Sequence, residues 1–236
     1  MGDIMNNIES LVNDVINKYP TLSAISTESG IALHGTLILN AEYNDIPLYD
    51  EYEIEVDIPQ EFPKSLPKVR EVSNRIPQEF EHFLDDGSLC LAAVCELADF
   101  VASNGTIIGY IEKYVMSYLY AASYFSRYKE SPFGERSHGI DGIKEAYMER
   151  YNCDNEDVLI SLMYVLAGFE KYRGHSICPC GSNKKLRECH GGRLLADIQS
   201  ELSEYYQSDA YWLLCDYIER RKKSGRKKRK ESTTKN

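Results

Sequence analysis

The sequence predicts an α+β protein, and three observations carry that reading. An amphipathic segment closes at Pro20, strand-like runs parted by turn residues follow, and from Thr106 to Arg127 apolar side chains recur at helical spacing. The first segment, Ile4 to Tyr19, sets Ile4, Ile8, Leu11, Val12 and Val15 on one face, and Pro20 cannot continue the helix. Strand-like runs come next at about Leu22 to Ser26, Ile31 to Tyr43 and Leu48 to Ile58. Glu28-Ser29-Gly30 and Asn44-Asp45 between them are turn sequences, so the three runs read as an antiparallel meander. In the third run Tyr52, Ile54, Val56 and Ile58 alternate with acidic residues, the pattern of a strand with one buried face. Pro63 and Pro67 end that strand, and Lys68 to Val72 supplies a fourth. The helix expected over Thr106 to Arg127 then offers Ile108, Ile111, Val115, Leu119, Ala122 and Phe125 for packing onto the sheet.

Residues 131 to 138, SPFGERSH, read as a linker. Beyond it, helical patterns cover about Ile143 to Glu149 and Asp157 to Tyr172. A cysteine knuckle follows, and then a carboxyl-terminal helical segment from Leu194 to Arg221 with a break expected at Ser208-Asp209. No internal repeat is evident. With 236 residues, 43% apolar and 27% charged, the chain has material for one or two cores, which excludes disorder of the whole. The opening MGDIMNNIES lacks the basic-then-apolar pattern of a signal peptide, and the uncharged run from Tyr114 to Phe125 is too short to span a bilayer. A myristoylation signal wants Ser or Thr where Asn6 stands. The expected location is therefore cytoplasmic, without a membrane partner. Seven cysteines, an odd number, argue against a disulfide framework and for metal binding or chemistry.

Charge is distributed unevenly. Arg220 to Asn236 holds ten Lys or Arg and one Glu, whereas residues 1 to 219 hold 17 basic and 36 acidic groups, a net of −19. Residues 223 to 236 read as a basic, solvated, disordered tail. The other reading is a weak nucleic-acid contact. With no aromatic residue in the tail to stack on bases, such a contact would be electrostatic and salt-sensitive.

Cys178-Pro179-Cys180-Gly181 and Cys189-His190 form the most specific motif in the chain. Two thiolates on one tight turn and a Cys-His pair from the next are the four donors that tetrahedral zinc requires. With all four supplied by protein, the site reads as closed and structural rather than catalytic. Gly181 is expected at positive φ, with nearby amides turned toward the sulfurs. The stretch 178–191 resembles a SEC-C zinc motif, including the lysines between the ligand pairs. That resemblance implies a module that docks protein or nucleic acid.

Asp85-Asp86-Gly87-Ser88-Leu89-Cys90-Leu91 presents a candidate nucleophile. A thiol suits acyl transfer, because its thiolate is nucleophilic and the thioester it forms stays activated toward an amine. Cys90 between two leucines also fits a small buried apolar residue, and its own neighbours leave both readings open. The order of elements, the turn Phe62-Pro63-Lys64-Ser65-Leu66-Pro67 and the stretch Gly87-Ser88-Leu89-Cys90-Leu91 resemble the ubiquitin-conjugating (UBC) enzymes. The resemblance covers residues 1–130. It implies a UBC-like fold in which Cys90 receives the carboxyl-terminal glycine of a carried protein from an activating enzyme and passes it to an amine. Typical members carry His-Pro-Asn before the cysteine, with the Asn eight positions upstream. Here that tripeptide is absent and the position is His82. A histidine there can donate a hydrogen bond to the oxyanion or accept a proton from the amine, while a plain loop role is the alternative. Similar divergence among bacterial relatives implies a setting in antiviral defence, with a ubiquitin-like protein or a nucleotidyltransferase as cargo.

Asp85 and Asp86 are first a turn signal. Cys95 makes no standard redox pair with Cys90, Cys153 and Cys215 fall at apolar helical positions, and His34 and His138 have no motif around them. The tyrosines from Tyr110 to Tyr128 read as a packing stripe with wet edges. No stretch resembles a phosphate-cradling loop, so ATP belongs to the activating partner and no cofactor site beyond zinc is expected. The division that results is a conjugating domain over 1–130, a helical extension over 139–222 bearing the knuckle, and the basic tail. An inactive UBC-like binding module is the competing class.

Overall fold

The computed structural model describes residues 2–80, 82–103, 105–133, 137 and 139–233, with side chains for those between 8 and 223. The chain divides into two compact units, Met1–Arg136 and Ser137–Asn236. Half of the expected linker, positions 134–136 and 138, and His138 with it, lies outside the described residues.

The first unit opens with helix α1 (Gly2–Lys18), which buries Ile8, Val12 and Val15. A four-stranded antiparallel sheet follows, β1 (Leu22–Thr27), β2 (Gly30–Tyr43), β3 (Ile46–Pro59) and β4 (Lys68–Glu71), in sequential order. Asn44 and Asp45 both have positive φ, 49° and 61°, which matches the hairpin turn to the twist of β2 and β3. Along β3 the alternation resolves as read: Leu48, Tyr52, Ile54, Val56 and Ile58 are buried, with Glu51 and Glu53 facing out. Each such aliphatic side chain contributes about 1.5–3 kcal/mol on burial.

Asp50 breaks the apolar run of the inner face. Its carboxylate accepts from Arg127 at 2.8 Å, from the Ser123 hydroxyl at 2.9 Å and from Arg75, and the Tyr52 hydroxyl closes the network on Ser123 at 2.6 Å. Burial alone would push the Asp50 carboxyl up, but the Arg127 and Ser123 hydrogen bonds and the charge of Arg75 outweigh it, so the group sits below its ordinary value.

The Thr106–Arg127 pattern is a composite helix: α3 (Ile107–Tyr110), a π-helical turn (Ile111–Val115) and α4 (Met116–Tyr128). Thr106 caps its start, accepting the Gly109 N–H at 3.0 Å. Helix α4 packs against β2 and β3. Before it lies α2 (Val94–Ala102), which buries Cys95, Leu97, Ala98 and Val101. The sequence reading had no helix there.

The second unit comprises α5 (Gly139–Arg150), α6 (Glu156–Leu166), α7 (Gly191–Gln199) and α8 (Ser203–Thr233), with a 3₁₀ turn at Leu186–Glu188. Three expectations change. Helix α6 stops at Leu166 rather than Tyr172, because Gly168 turns left-handed at φ +78°. The break expected at Ser208-Asp209 falls instead at Ser200, whose hydroxyl accepts the Leu202 N–H at 3.1 Å and whose carbonyl accepts the Ser203 N–H. Ser208 and Asp209 lie inside a continuous α8. The backbone of that helix runs to Thr233, so most of the segment expected to be a disordered tail is helical.

Asp197 anchors this unit. Its carboxylate accepts from Arg150 at 2.7 and 2.9 Å and from the Tyr151 hydroxyl at 2.7 Å, while the Arg150 guanidinium lies 4.7 Å from the centroid of the Tyr206 ring. Both charged side chains are at least 94% buried. Breaking such a pair costs about 3–5 kcal/mol, because one charge stays behind.

Asp209 is different. It is buried, the Tyr147 hydroxyl donates to it at 3.1 Å, and burial pushes its carboxyl up to about 6 from an ordinary 3.8. The folded state therefore favours the proton. Asp209 contributes fully below the unfolded value, and that contribution is lost as pH rises through about 6. At pH 7.5 its carboxylate weakens this unit by about 3 kcal/mol. Asp209→Asn should accordingly raise the unfolding midpoint of this unit in urea at pH 7.5 and leave it nearly unchanged at pH 4, as followed by hydrogen exchange of α5 and α8.

Candidate functional site

His82 and Cys90 stand on the two arms of a short hairpin. Phe83 and Leu89 form an antiparallel bridge, the Leu84 N–H donates to the Ser88 carbonyl at 2.8 Å, and the Cys90 N–H donates to the His82 carbonyl at 2.9 Å. This register sets His82 directly opposite Cys90, where Cβ atoms of facing residues lie about 4.5–5.5 Å apart. The second arm is tied to the sheet by the Leu89 N–H, which donates to the Val69 carbonyl at 2.8 Å.

The acidic tip explains itself structurally. Gly87 turns at φ +77°, and Asp86 accepts the Ser88 N–H at 3.1 Å and the Lys68 ammonium at 2.6 Å. Lys68, with Ser88, holds the Asp86 carboxyl well below the usual carboxylate range. Asp86 is thus a turn organiser, and Asp85 beside it is exposed.

Cys90 is half-buried, and burial pushes its thiol up. Behind the hairpin stands Tyr118 of α4, whose hydroxyl donates to the His82 carbonyl at 2.8 Å. Phe80 packs beside both, its ring 4.6 Å from the His82 ring and 5.4 Å from that of Tyr118, while the His82 and Tyr118 rings meet edge-on at 6.3 Å. Burial holds the Tyr118 hydroxyl far above its ordinary range, and the charge Cys90 would carry adds to this, so it remains a donor. Tyr118 has company on the same composite helix: Tyr110 donates to the Pro67 carbonyl at 3.1 Å, Tyr114 to Glu96 at 3.2 Å and Tyr120 to Ile46 at 2.8 Å. The expected stripe with wet edges is, at these four positions, a set of buried rings that fasten separate segments of the chain by their carbonyls.

The second cluster lies in the other unit. Ligand atoms of Cys178, Cys180, Cys189 and His190 all fall within 4.8 Å of one another. His190 presents Nδ1, 3.1 Å from Cys178 Sγ and 3.3 Å from Cys189 Sγ, and Cys180 Sγ lies 3.5 Å from Cys189 Sγ. A tetrahedral ion with bonds of about 2.3 Å to sulfur and 2.0 Å to nitrogen has edges of about 3.5–3.8 Å, close to these separations. A small hairpin delivers the donors. Ile177 bridges Lys185, the Cys178 N–H donates to the Lys184 carbonyl at 2.9 Å, and Gly181 turns at φ +77° as expected. The N–H groups of Cys180 and His190 point at the Cys178 sulfur, and that of Ser182 at Cys180. Hydrogen bonds from Ser182 bring the Cys180 thiol down to about 6, whereas burial pushes Cys178 up to about 11.

Residues 176–192 match the family model of the SEC-C motif. No curated protein matches the chain. The SEC-C segment accounts for three of the seven cysteines, with His190 as the fourth donor. Cys95 and Cys153 are buried, Cys215 is half-buried, and His34 sits on the outer side of β2 with Ser23 Oγ 3.3 Å from its ring. Sequence reasoning missed Tyr118 as a neighbour of Cys90; the four-residue recurrence of Tyr110, Tyr114 and Tyr118 was the available signal. Among the described residues no helix is long and apolar enough to cross a membrane.

These environments order the thiols. With a chelator present at pH 7, limiting iodoacetamide should label Cys180 well before Cys90, as read by peptide mass spectrometry; the reverse order would contradict the two environments described.

Proposed function

We propose that this chain is an acyl carrier of the ubiquitin-conjugating type with Cys90 as nucleophile and His82 as its partner. The observation that carries this reading is the hairpin register that sets His82 directly opposite Cys90. Helix α1, the meander β1–β4, the Phe62–Pro67 turn and the cysteine loop follow in the order the resemblance implies for a UBC-like unit.

In this reading the Cys90 thiolate attacks the thioester carbonyl that joins a carried protein's terminal glycine to an activating enzyme. The activating enzyme's thiolate leaves, and the acyl group now rests on Cys90. An amine then attacks the same carbonyl, the C–N bond forms, the C–S bond breaks, and Cys90 departs as thiolate. Burial keeps the resting thiol protonated, so transfer calls for a nearby base, and His82 is a titratable group on the facing arm. The carried protein is a ubiquitin-like protein or a nucleotidyltransferase, the setting bacterial antiviral defence in the cytoplasm. ATP is consumed by the activating partner.

The Cys178, Cys180, Cys189 and His190 set is suited to Zn²⁺, which would cross-link two turns of the second unit without an open position for chemistry. The SEC-C segment then serves docking, to protein or nucleic acid, with the basic stretch adding charge. A second reading, an inactive binding module, draws on the raised Cys90 thiol and on His82 in place of the usual Asn.

Intact-mass analysis of the chain from its native host, with and without hydroxylamine and beside Cys90→Ala, separates the two. A hydroxylamine-sensitive adduct that depends on Cys90 is expected, and its mass identifies the carried protein. No adduct, even with the activating enzyme and ATP supplied, would leave the binding module standing.

A further inference from the structure

The His82 carbonyl receives two donors, the Cys90 N–H from within the hairpin and the Tyr118 hydroxyl from α4. The first fixes the register of the two arms. The second fixes that register to the helix behind them, and it alone reaches His82 from outside the loop among these two. Phe80 completes the arrangement, its ring tilted against His82 and edge-on to Tyr118 at 76°. His82 is thereby held from its backbone and along its ring, at the position of the hairpin directly opposite Cys90.

We propose that Tyr118 is a positioning residue for thioester discharge, holding His82 over the Cys90 carbonyl adduct by hydrogen bonding to the His82 main chain. This rests on the acyl-carrier reading. In discharge an amine nitrogen forms the C–N bond, the Cys90 C–S bond breaks, and the proton of the amine passes to the His82 imidazole and on to solvent. Tyr118 touches neither amine nor thioester. Its hydroxyl stays protonated in its buried site, so it donates throughout the cycle. A misplacement of His82 by about 1 Å, as loss of that donor allows, is enough to cost rate without unfolding the loop.

The test uses the full chain loaded at Cys90 with N-acetylglycine from its thiophenyl ester, then discharged by free lysine between pH 6 and 9. Loading is scored by peptide mapping, with Cys90→Ala as background. Tyr118→Phe keeps the ring packing and removes only the hydroxyl, so circular dichroism should be unchanged and the melting temperature should fall by no more than about 2–4 °C. It is expected to slow discharge about tenfold and to flatten the pH profile of discharge relative to the wild type. In a His82→Ala background, where the main-chain carbonyl persists but the imidazole is gone, the same change should alter the rate less than about twofold. Equal losses in both backgrounds, or no loss in either, would overturn the positioning role and leave the acyl-carrier reading intact. A wild-type rate no faster than that of a free peptide thioester would instead remove the acyl-carrier reading, and the positioning role with it.

Discussion

One main-chain carbonyl, that of His82, organises the cysteine loop. The Cys90 N–H and the Tyr118 hydroxyl both donate to it, so the nucleophile arm, the facing arm and the helix behind them share one atom. A single hydrogen bond contributes only about 0.5–1.5 kcal/mol to stability. Its importance here is geometric. The tip beyond it is a turn closed by Asp86, Gly87 and Ser88, and its link to the fold is the solvent-exposed ion pair of Asp86 with Lys68 of β4. The anchoring comes from β4 through Val69 and from α4 through Tyr118.

The rigidity that this atom borrows is made elsewhere in the first unit. Leu33, Leu37, Leu39, Ile54 and Ile58 are almost wholly buried on one side of the sheet, and Leu119 is buried on α4. Asp50 ties the first half of β3 to α4 through Ser123 and Arg127, a link stronger than an exposed ion pair because its carboxylate is only 7% accessible and hydrogen-bonded on both oxygens. The second unit repeats the device with Asp197, Arg150 and Tyr151, and adds a fourfold donor cluster in its SEC-C segment. In both units a buried carboxylate gathers an arginine and a hydroxyl.

Much of this was legible. The two-residue alternation of Tyr52 to Ile58 and the Asn44-Asp45 turn are local properties, and local properties survive folding. The knuckle was legible because metal donors must lie close in space and here lie close in sequence. What escaped depends on partners distant in the chain. Asp209 reads as a helix breaker until Tyr147 is placed against it, and Tyr118 reads as one more packing ring until His82 arrives from 36 residues away. Helix α2 was missed for another reason. Its short pattern of Val94, Leu97, Ala98 and Val101 follows an irregular approach whose chemistry drew the reading to Cys90.

The pinning of the cysteine loop is tested most directly by amide exchange. Hydrogen–deuterium exchange of peptides spanning residues 80–91 should show the Cys90 amide protected in the wild type and exchanging about tenfold faster in Tyr118→Phe, with β2 and β3 unchanged. Free exchange at Cys90 in the wild type, or protection indifferent to Tyr118, would contradict the shared-carbonyl account.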